Sequence, residues 1–152
     1  MQARTVWRRL LGVEKTVVED VEFVEELDAT VSLVAHVRPT SRAASRCGKC
    51  GRRAGRYDGG EGRRRWRGLD FGEVLVFLEA DAPRVRCRDH GVVVAGVPWA
   101  RHGAGHTHAF DQQVAWLATQ SSKTAITVLM RIAWRTVGAI VARYWADTAA
   151  AL

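Results

Sequence analysis

Two short runs carry side chains that could coordinate a metal: "RCGKCG", beginning at Arg46, and "RCRDHG", beginning at Arg86. The first holds Cys47 and Cys50 with two residues between them. The second holds Cys87 and His90 at the same spacing, and these are all three cysteines of the 152-residue chain. A Cys-x-x-Cys turn sets two thiolates on a tight knuckle where backbone N–H groups can point at sulfur. Zinc takes four sulfur and nitrogen ligands in a tetrahedron. Cys47, Cys50, Cys87 and His90 supply such a set as two knuckles. The reading is one structural zinc per chain, closed by protein ligands, with no position left for a substrate. Gly48 and Gly51 suit the first knuckle and Gly91 follows the second, because glycine tolerates the backbone turn. A redox Cys-x-x-Cys would need a βαβ setting, which the residues around Cys47 lack, and an odd cysteine count argues against a secreted disulfide framework.

The elements that must position these ligands are short strands. In "TVVEDVEFVEELDATVSLVAHVRP", Val21 and Phe23 share one face of a first run. Val31, Leu33, Ala35 and Val37 share one face of a second, opposite Ser32, Val34, His36 and Arg38. Leu27 and Asp28 lie between the runs, so a hairpin is expected, with His36 a solvent-facing strand residue. A Gly-, Arg- and Ser-rich loop is expected from Pro39 to Gly62. "RRRWRGLDF" and "EVLVFLEADAPRVRC" then read as a second hairpin pair leading into Cys87, and "VVVAGVPW" as a final strand stopped by Pro98.

The period changes after Trp99. Thr107 and Ser122 are candidate N-caps. Three helical stripes follow: Phe110, Val114, Leu117 and Ala118; then Ala125, Val128, Leu129 and Ile132; then Val137, Ile140, Val141 and Tyr144. The fold class is therefore α+β, with a β-rich zinc-binding domain over residues 1–100 and a three-helix domain over 101–152.

Net charge is +7 with a sequence pI near 10.1. Residues 41–68 hold ten Lys and Arg against two Asp and Glu, whereas residues 1–40 hold five against seven. So concentrated a patch favours a polyanion, nucleic acid first. Arg63, Arg64, Arg65 and Arg67 are the expected phosphate contacts. In "SKTAITVLMRIAWRTVGAIVARYW" two short amphipathic helices break around 131–133, as in a helix-turn-helix. There the second helix reads the major groove and the first crosses the backbone. With Val137, Ile140, Val141 and Tyr144 turned to the core, Arg135, Thr136, Ala139 and Arg143 face outward or flank the groove. Arg can read guanine, and Thr or Ala can touch a thymine methyl. Lys123 stands at the start of the first helix, where a phosphate would lie. A plain helical hairpin gives the same periodicity; the basic, acid-poor outer face favours DNA. No run of about eighteen apolar residues predicts a membrane span, and no signal-peptide core precedes the acidic stretch near the start.

The order "CGKC", "CRDHG", "GVPWARHG", "AFDQQVAWLATQSSKTA", "LMRIAWRTVGAIVARYWAD" resembles the N-terminal region of bacterial insertion-sequence transposases of the ISL3 family, over roughly residues 10–147. In that family a zinc-binding domain precedes a helix-turn-helix domain and a larger RNase-H-like domain with a DDE triad. The resemblance places Cys47, Cys50, Cys87 and His90 on the zinc-ligand positions and Lys123–Trp145 on the helix-turn-helix. It implies binding of double-stranded DNA at the inverted repeats of an element, in the bacterial cytoplasm at the nucleoid, with homodimerisation open. The chain stops at "ADTAAAL", where the catalytic domain is expected, and no convergent carboxylate triad is evident. DNA binding without cleavage is therefore expected. Two other readings stay open: a truncated product that represses its element, and a zinc-knuckle module that binds protein.

Overall fold

The β-branched run before Pro39 builds the first sheet. In a computed structural model, which describes residues 2–151, β1 (Thr16–Glu25) and β2 (Val31–Pro39) pair antiparallel, with a bulge between Val18 and Asp20. The hairpin tip is held by Asp28, whose Oδ1 accepts from the Thr30 backbone N–H (3.1 Å) and hydroxyl (2.6 Å). β2 also runs parallel to β5 (Leu75–Asp81). The expected second hairpin is present as β4 (Arg63–Arg67) paired antiparallel with β5, giving the order β1-β2-β5-β4. β2 is an inner strand, and at its centre it is buried on both faces, so it departs from the expected alternation. Ser32, Leu33, Val34 and Ala35 are all buried, while Val31 at the strand's end is exposed. A strand covered on both faces has no polar side to alternate with.

One core packs Val18, Ala35, Val37, Leu78 and Ala80 around Trp66 and Trp99, whose rings meet edge to face at 5.4 Å. Against it lies a helix that the strand-first reading of this region omitted. α1 (Ala3–Leu11) ends at Gly12, in the left-handed region at φ +66°, whose N–H reaches the Arg8 and Arg9 carbonyls. Trp7 and Leu11 of α1 pack on the core, and Trp7 stacks on Phe71. The described residues thus form four helices, one of them in the β-rich unit.

A second sheet forms from β3 (Gly55–Asp58), β6 (Arg84–Cys87) and β7 (Gly91–Val94), in the order β3-β6-β7, all antiparallel. β3 corrects the expectation of loop from Pro39 to Gly62: Arg84 of β6 donates from Nε and Nη2, one edge of its guanidinium, to the two Asp58 carboxylate oxygens, which ties this short strand down. That hydrogen bonding lowers the Asp58 carboxyl to about 2. Between β5 and β6 the chain changes sheets at Ala82 and Pro83.

The helical part comprises α2 (His108–Gln120), α3 (Lys123–Met130) and α4 (Trp134–Ala151). The chain divides into two compact units, Met1–Thr107 and His108–Leu152. Residues 101–107 bond into the first unit: the Thr107 N–H donates to the Arg67 carbonyl, and the Arg67 N–H to that of Gly105. Ser122 caps α3, accepting from the Ala125 N–H at 3.1 Å. The α2 and α4 stripes are buried at Phe110, Val114, Val137 and Ile140, as expected, whereas Ala118 is exposed. The α3 stripe is a correction. Ile126 and Met130 are its buried residues, while Val128 and Leu129 are 75% and 62% exposed. α3 has about two turns, and over so short a span more than one apolar face satisfies a 3.6-residue period. The i, i+4 pair Ile126 and Met130 is the one that meets the neighbouring helices. Ile126→Ala and Ile140→Ala should each destabilise the helical unit by about 2–5 kcal/mol, whereas Val128→Ala or Leu129→Ala should change it by less than about 1 kcal/mol. Denaturant unfolding followed by helical circular dichroism measures this, and equal losses at all four positions would contradict the packing.

Candidate metal centre and nucleic-acid interface

The two knuckles meet. The ligand atoms of Cys47, Cys50, Cys87 and His90 all lie within 4.8 Å of one another. Cys50 and Cys87 bring their sulfurs to 3.7 Å. His90 Nδ1 stands 3.7 Å from the Cys47 sulfur and 3.6 Å from that of Cys87. Zinc–sulfur bonds of about 2.3 Å and zinc–nitrogen bonds of about 2.0–2.1 Å, at tetrahedral angles, separate two sulfurs by about 3.8 Å and sulfur from nitrogen by about 3.6 Å. The one sulfur–sulfur and two sulfur–nitrogen separations above match a zinc site. The sulfurs do not match a disulfide, in which they stand about 2.0 Å apart, and the three cysteines are free. Among the described residues this is the one cluster of three or more such ligands.

Local backbone explains how short runs achieve this. Cys47 leads the first knuckle from a bridge with Ala95, and Cys87 pairs with Gly91 as β6 turns into β7. Gly51 and Gly91, each directly after the second ligand of its knuckle, hold φ +74° and +69°, where a side chain is strained. Gly48 is required for another reason. A Cβ there would strike the His102 ring and lie 2.7 Å from the Val94 carbonyl oxygen. The knuckle amides face sulfur, as at Lys49 N–H to Cys47 Sγ (3.4 Å). Burial raises the Cys47 thiol, but the Cys50 and Lys49 N–H groups outweigh it and the net shift is downward. The Asp89 N–H and then the His90 side chain lower Cys87. At Cys50 the Arg52 N–H lowers the thiol, yet burial and the adjacent Cys87 and Cys47 sulfurs raise it overall. Crowded sulfurs that oppose each other's ionisation are relieved by a cation among them.

The arginine run is ordered by carboxylates. Arg63 meets Glu79 (3.4 Å) and Asp81 (3.2 Å) and donates to His36 Nδ1 (2.8 Å). Arg65 meets Glu26 (2.9 Å) and Glu79 (3.1 Å), and Arg67 meets Asp70 (3.2 Å). Arg64 lies over the Trp66 ring and donates to the Ala104 carbonyl at 2.7 Å. Burial tends to raise the Glu79 carboxyl, but bonds from Arg65 and Arg63 carry it below its ordinary value. His36 is half-buried between Glu22 and Glu79, each within 3.2 Å, rather than simply solvated.

In the helical unit α3 and α4 cross at 102° over the three residues 131–133. Arg131 caps α3 at φ +57°, with its N–H on the Thr127 carbonyl. Arg135 and Ala139 are exposed on α4. Thr136 and Arg143 are half-buried, and the Arg143 Nε is enclosed. Lys123 places its ammonium 4.9 Å from the Trp134 ring centre, which gives that exposed ring a partner the spacing did not reveal. Among the described residues no single helix is long and apolar enough to cross a membrane.

Residues 43–90 match the zinc-finger model of transposases IS204/IS1001/IS1096/IS1165, and residues 97–145 match the helix-turn-helix domain of transposase family ISL3. Two curated proteins, each a transposase for insertion sequence element IS1557, come from Mycobacterium tuberculosis strains CDC 1551 / Oshkosh and ATCC 25618 / H37Rv. Each is 64% identical over 146 residues, 94% of this chain and 33% of its own length. The chain thus spans about a third of the curated relatives it matches. No solved structure matches it.

The purified chain should carry about one zinc. Cys47→Ser or Cys87→Ser should lose that metal and expose the two knuckles with the β3-β6-β7 sheet, together the ribbon, to proteolysis, since structural metal binding is folding energy. Full metal content in either variant would remove its cysteine from the ligand set. Gly48→Ala should destabilise the ribbon by about 1–3 kcal/mol, the usual cost of overpacking. Adding His102→Ala should not restore it, because the Val94 carbonyl remains. Chelator titration of each variant reads this out.

Proposed function

Because the chain carries the zinc-finger and helix-turn-helix domains of the ISL3 transposase family, we propose that it binds double-stranded DNA and that its targets are the inverted repeats at the ends of an insertion element. The observation that carries the reading is the α3–α4 corner, two helices at 102° across three residues. That lies within the roughly 90–120° of a helix-turn-helix, whose second helix enters the major groove by its N-terminal half. Val137 and Ile140 hold α4 on the core, so Arg135 and Ala139 project from its outer side. No carboxylate pairs with Arg135 among the described residues, which leaves its fork of donors for a guanine edge. Ala139, one turn on, suits a thymine methyl, with Thr136 and Arg143 on the flanks of the groove. Lys123, resting on Trp134, offers its ammonium to a phosphate at the start of α3.

The zinc is structural in this reading: Cys47, Cys50, Cys87 and His90 hold it, and it supplies the ribbon's closure. Arg63, Arg64, Arg65 and Arg67 are secondary phosphate contacts, because three of them must exchange a carboxylate to reach DNA. These residues serve recognition rather than strand cleavage, at the nucleoid in the cytoplasm.

The test begins with selection of bound duplexes from a random pool. On the selected site Arg135→Ala should cost about 1–3 kcal/mol, with a much smaller loss on a scrambled duplex. Equal losses on both would make Arg135 a phosphate contact and sink the base-reading role.

A further inference from the structure

Charge that is neutralised on β4 remains uncompensated elsewhere in the first unit. A cleft of about 710 Å³ opens beside the first knuckle, lined in part by Lys15, Arg42, Arg46 and His102 and by no carboxylate. Three separate stretches build it: the turn into β1, the segment after β2 with the knuckle, and residues 96–102. Among the described residues no carboxylate pairs with Lys15, Arg42 or Arg46. Arg46 is fixed through Nε on the Arg42 carbonyl and Nη1 on that of Gly51, both at 3.0 Å. Those carbonyls orient the guanidinium without cancelling its charge, and they use two of its five donors. Gly48 and Gly96 also line the wall, packed against the chain's own backbone and the His102 ring. The His102 imidazole is pushed below its ordinary pKa by burial first and then by the charges of Lys49 and Arg64.

We propose that this cleft is a phosphate site that takes a phosphodiester of the DNA backbone, so that the first unit's main sequence-independent contact lies beside the metal knuckle and not on β4. The inference rests on the DNA-binding reading above. Its physical ground is exchange. A phosphate entering the cleft meets cations whose counterions are mobile, whereas one approaching Arg63 or Arg65 must displace Glu79, Asp81 or Glu26, which releases little salt.

The experiment is a salt titration of the zinc-loaded full chain on a short random-sequence duplex. It compares Lys15→Gln/Arg42→Gln with Arg63→Gln/Arg65→Gln, which removes the same number of charges. Arg46 is left in place because it braces Gly51, and zinc content checks that both variants fold. The cleft pair should weaken low-salt affinity at least about tenfold and flatten the slope by about 0.9 per lost contact, while the β4 pair should shift it by less than half of one contact. Amide signals of Gly48, Gly51 and Gly96 are followed in parallel with inorganic phosphate as the probe. Shifts there in the wild type that vanish in the cleft pair support the site even if duplex binding fails, a failure that would then count against the DNA reading alone. Duplex binding with an unchanged slope in the cleft pair overturns the site and leaves the DNA reading standing. Phosphate that moves none of these amides in the wild type also overturns it.

Discussion

The ribbon depends on four ligand atoms being drawn to one point. Its own core is Cys47, Ala54, Val85 and Cys87, with Val93 and Ala95 partly buried against it. Two of the four buried residues are cysteines of the candidate metal cluster, and neither of the others is larger than valine. Burial of small side chains contributes at most about 1.5–3 kcal/mol each. Ordering the backbone costs about 1–2 kcal/mol per residue, so so small a core cannot hold three short strands by itself. The binding energy of a metal held by the cluster would close that gap. Closure also sets what lies around it: the first knuckle fits only because Gly48 lets the His102 ring and the Val94 carbonyl approach, and the carboxylate-free cleft is one wall of the same contact.

Charge is the second organising constraint. A basic stretch of sequence can serve two ends, and here it serves both. On β4, alternate arginines lie against acids of β5 and the first hairpin, with Glu79 accepting from Arg63 and Arg65 together. Exposed ion pairs are individually worth about 0–1 kcal/mol, so their main effect is to order side chains and remove free charge from that face. Arg42, Arg46 and Lys49 lie close by in sequence and keep their charge. The positive charge left without a carboxylate partner along this stretch is therefore smaller than the composition implies, and part of it lies beside the knuckle.

The Cys and His cluster was legible in the sequence because a knuckle is local: two donors three positions apart, a glycine after the second, and amides that fold onto sulfur. The break at 131–133, the Ser122 cap and the α4 face were legible for the same reason, since each depends on residues within a turn or two. The β1–β2 and β4–β5 hairpins followed from alternation and from the turns between the runs. β3 was missed because four residues among arginines and glycines carry no alternation, and they become a strand only when β6 lies alongside. α1 was readable in principle from the Trp7 and Leu11 spacing and Gly12.

Other features had no local signal. That β2 is an inner strand, parallel to β5 and buried at Ser32 and Val34, depends on a partner more than forty positions away in sequence. That α3 buries Ile126 and Met130, not Val128 and Leu129, depends on where α2 and α4 press, since two turns of helix leave the apolar face undetermined. The free or paired state of each arginine depends on which acid the sheet brings within about 3–4 Å, and Coulomb attraction falls with distance in space and not along the chain. The sequence by itself thus determined which Cys and His residues could cluster, their spacing and the helical corner, while the tertiary structure decided which cations are left without a carboxylate partner.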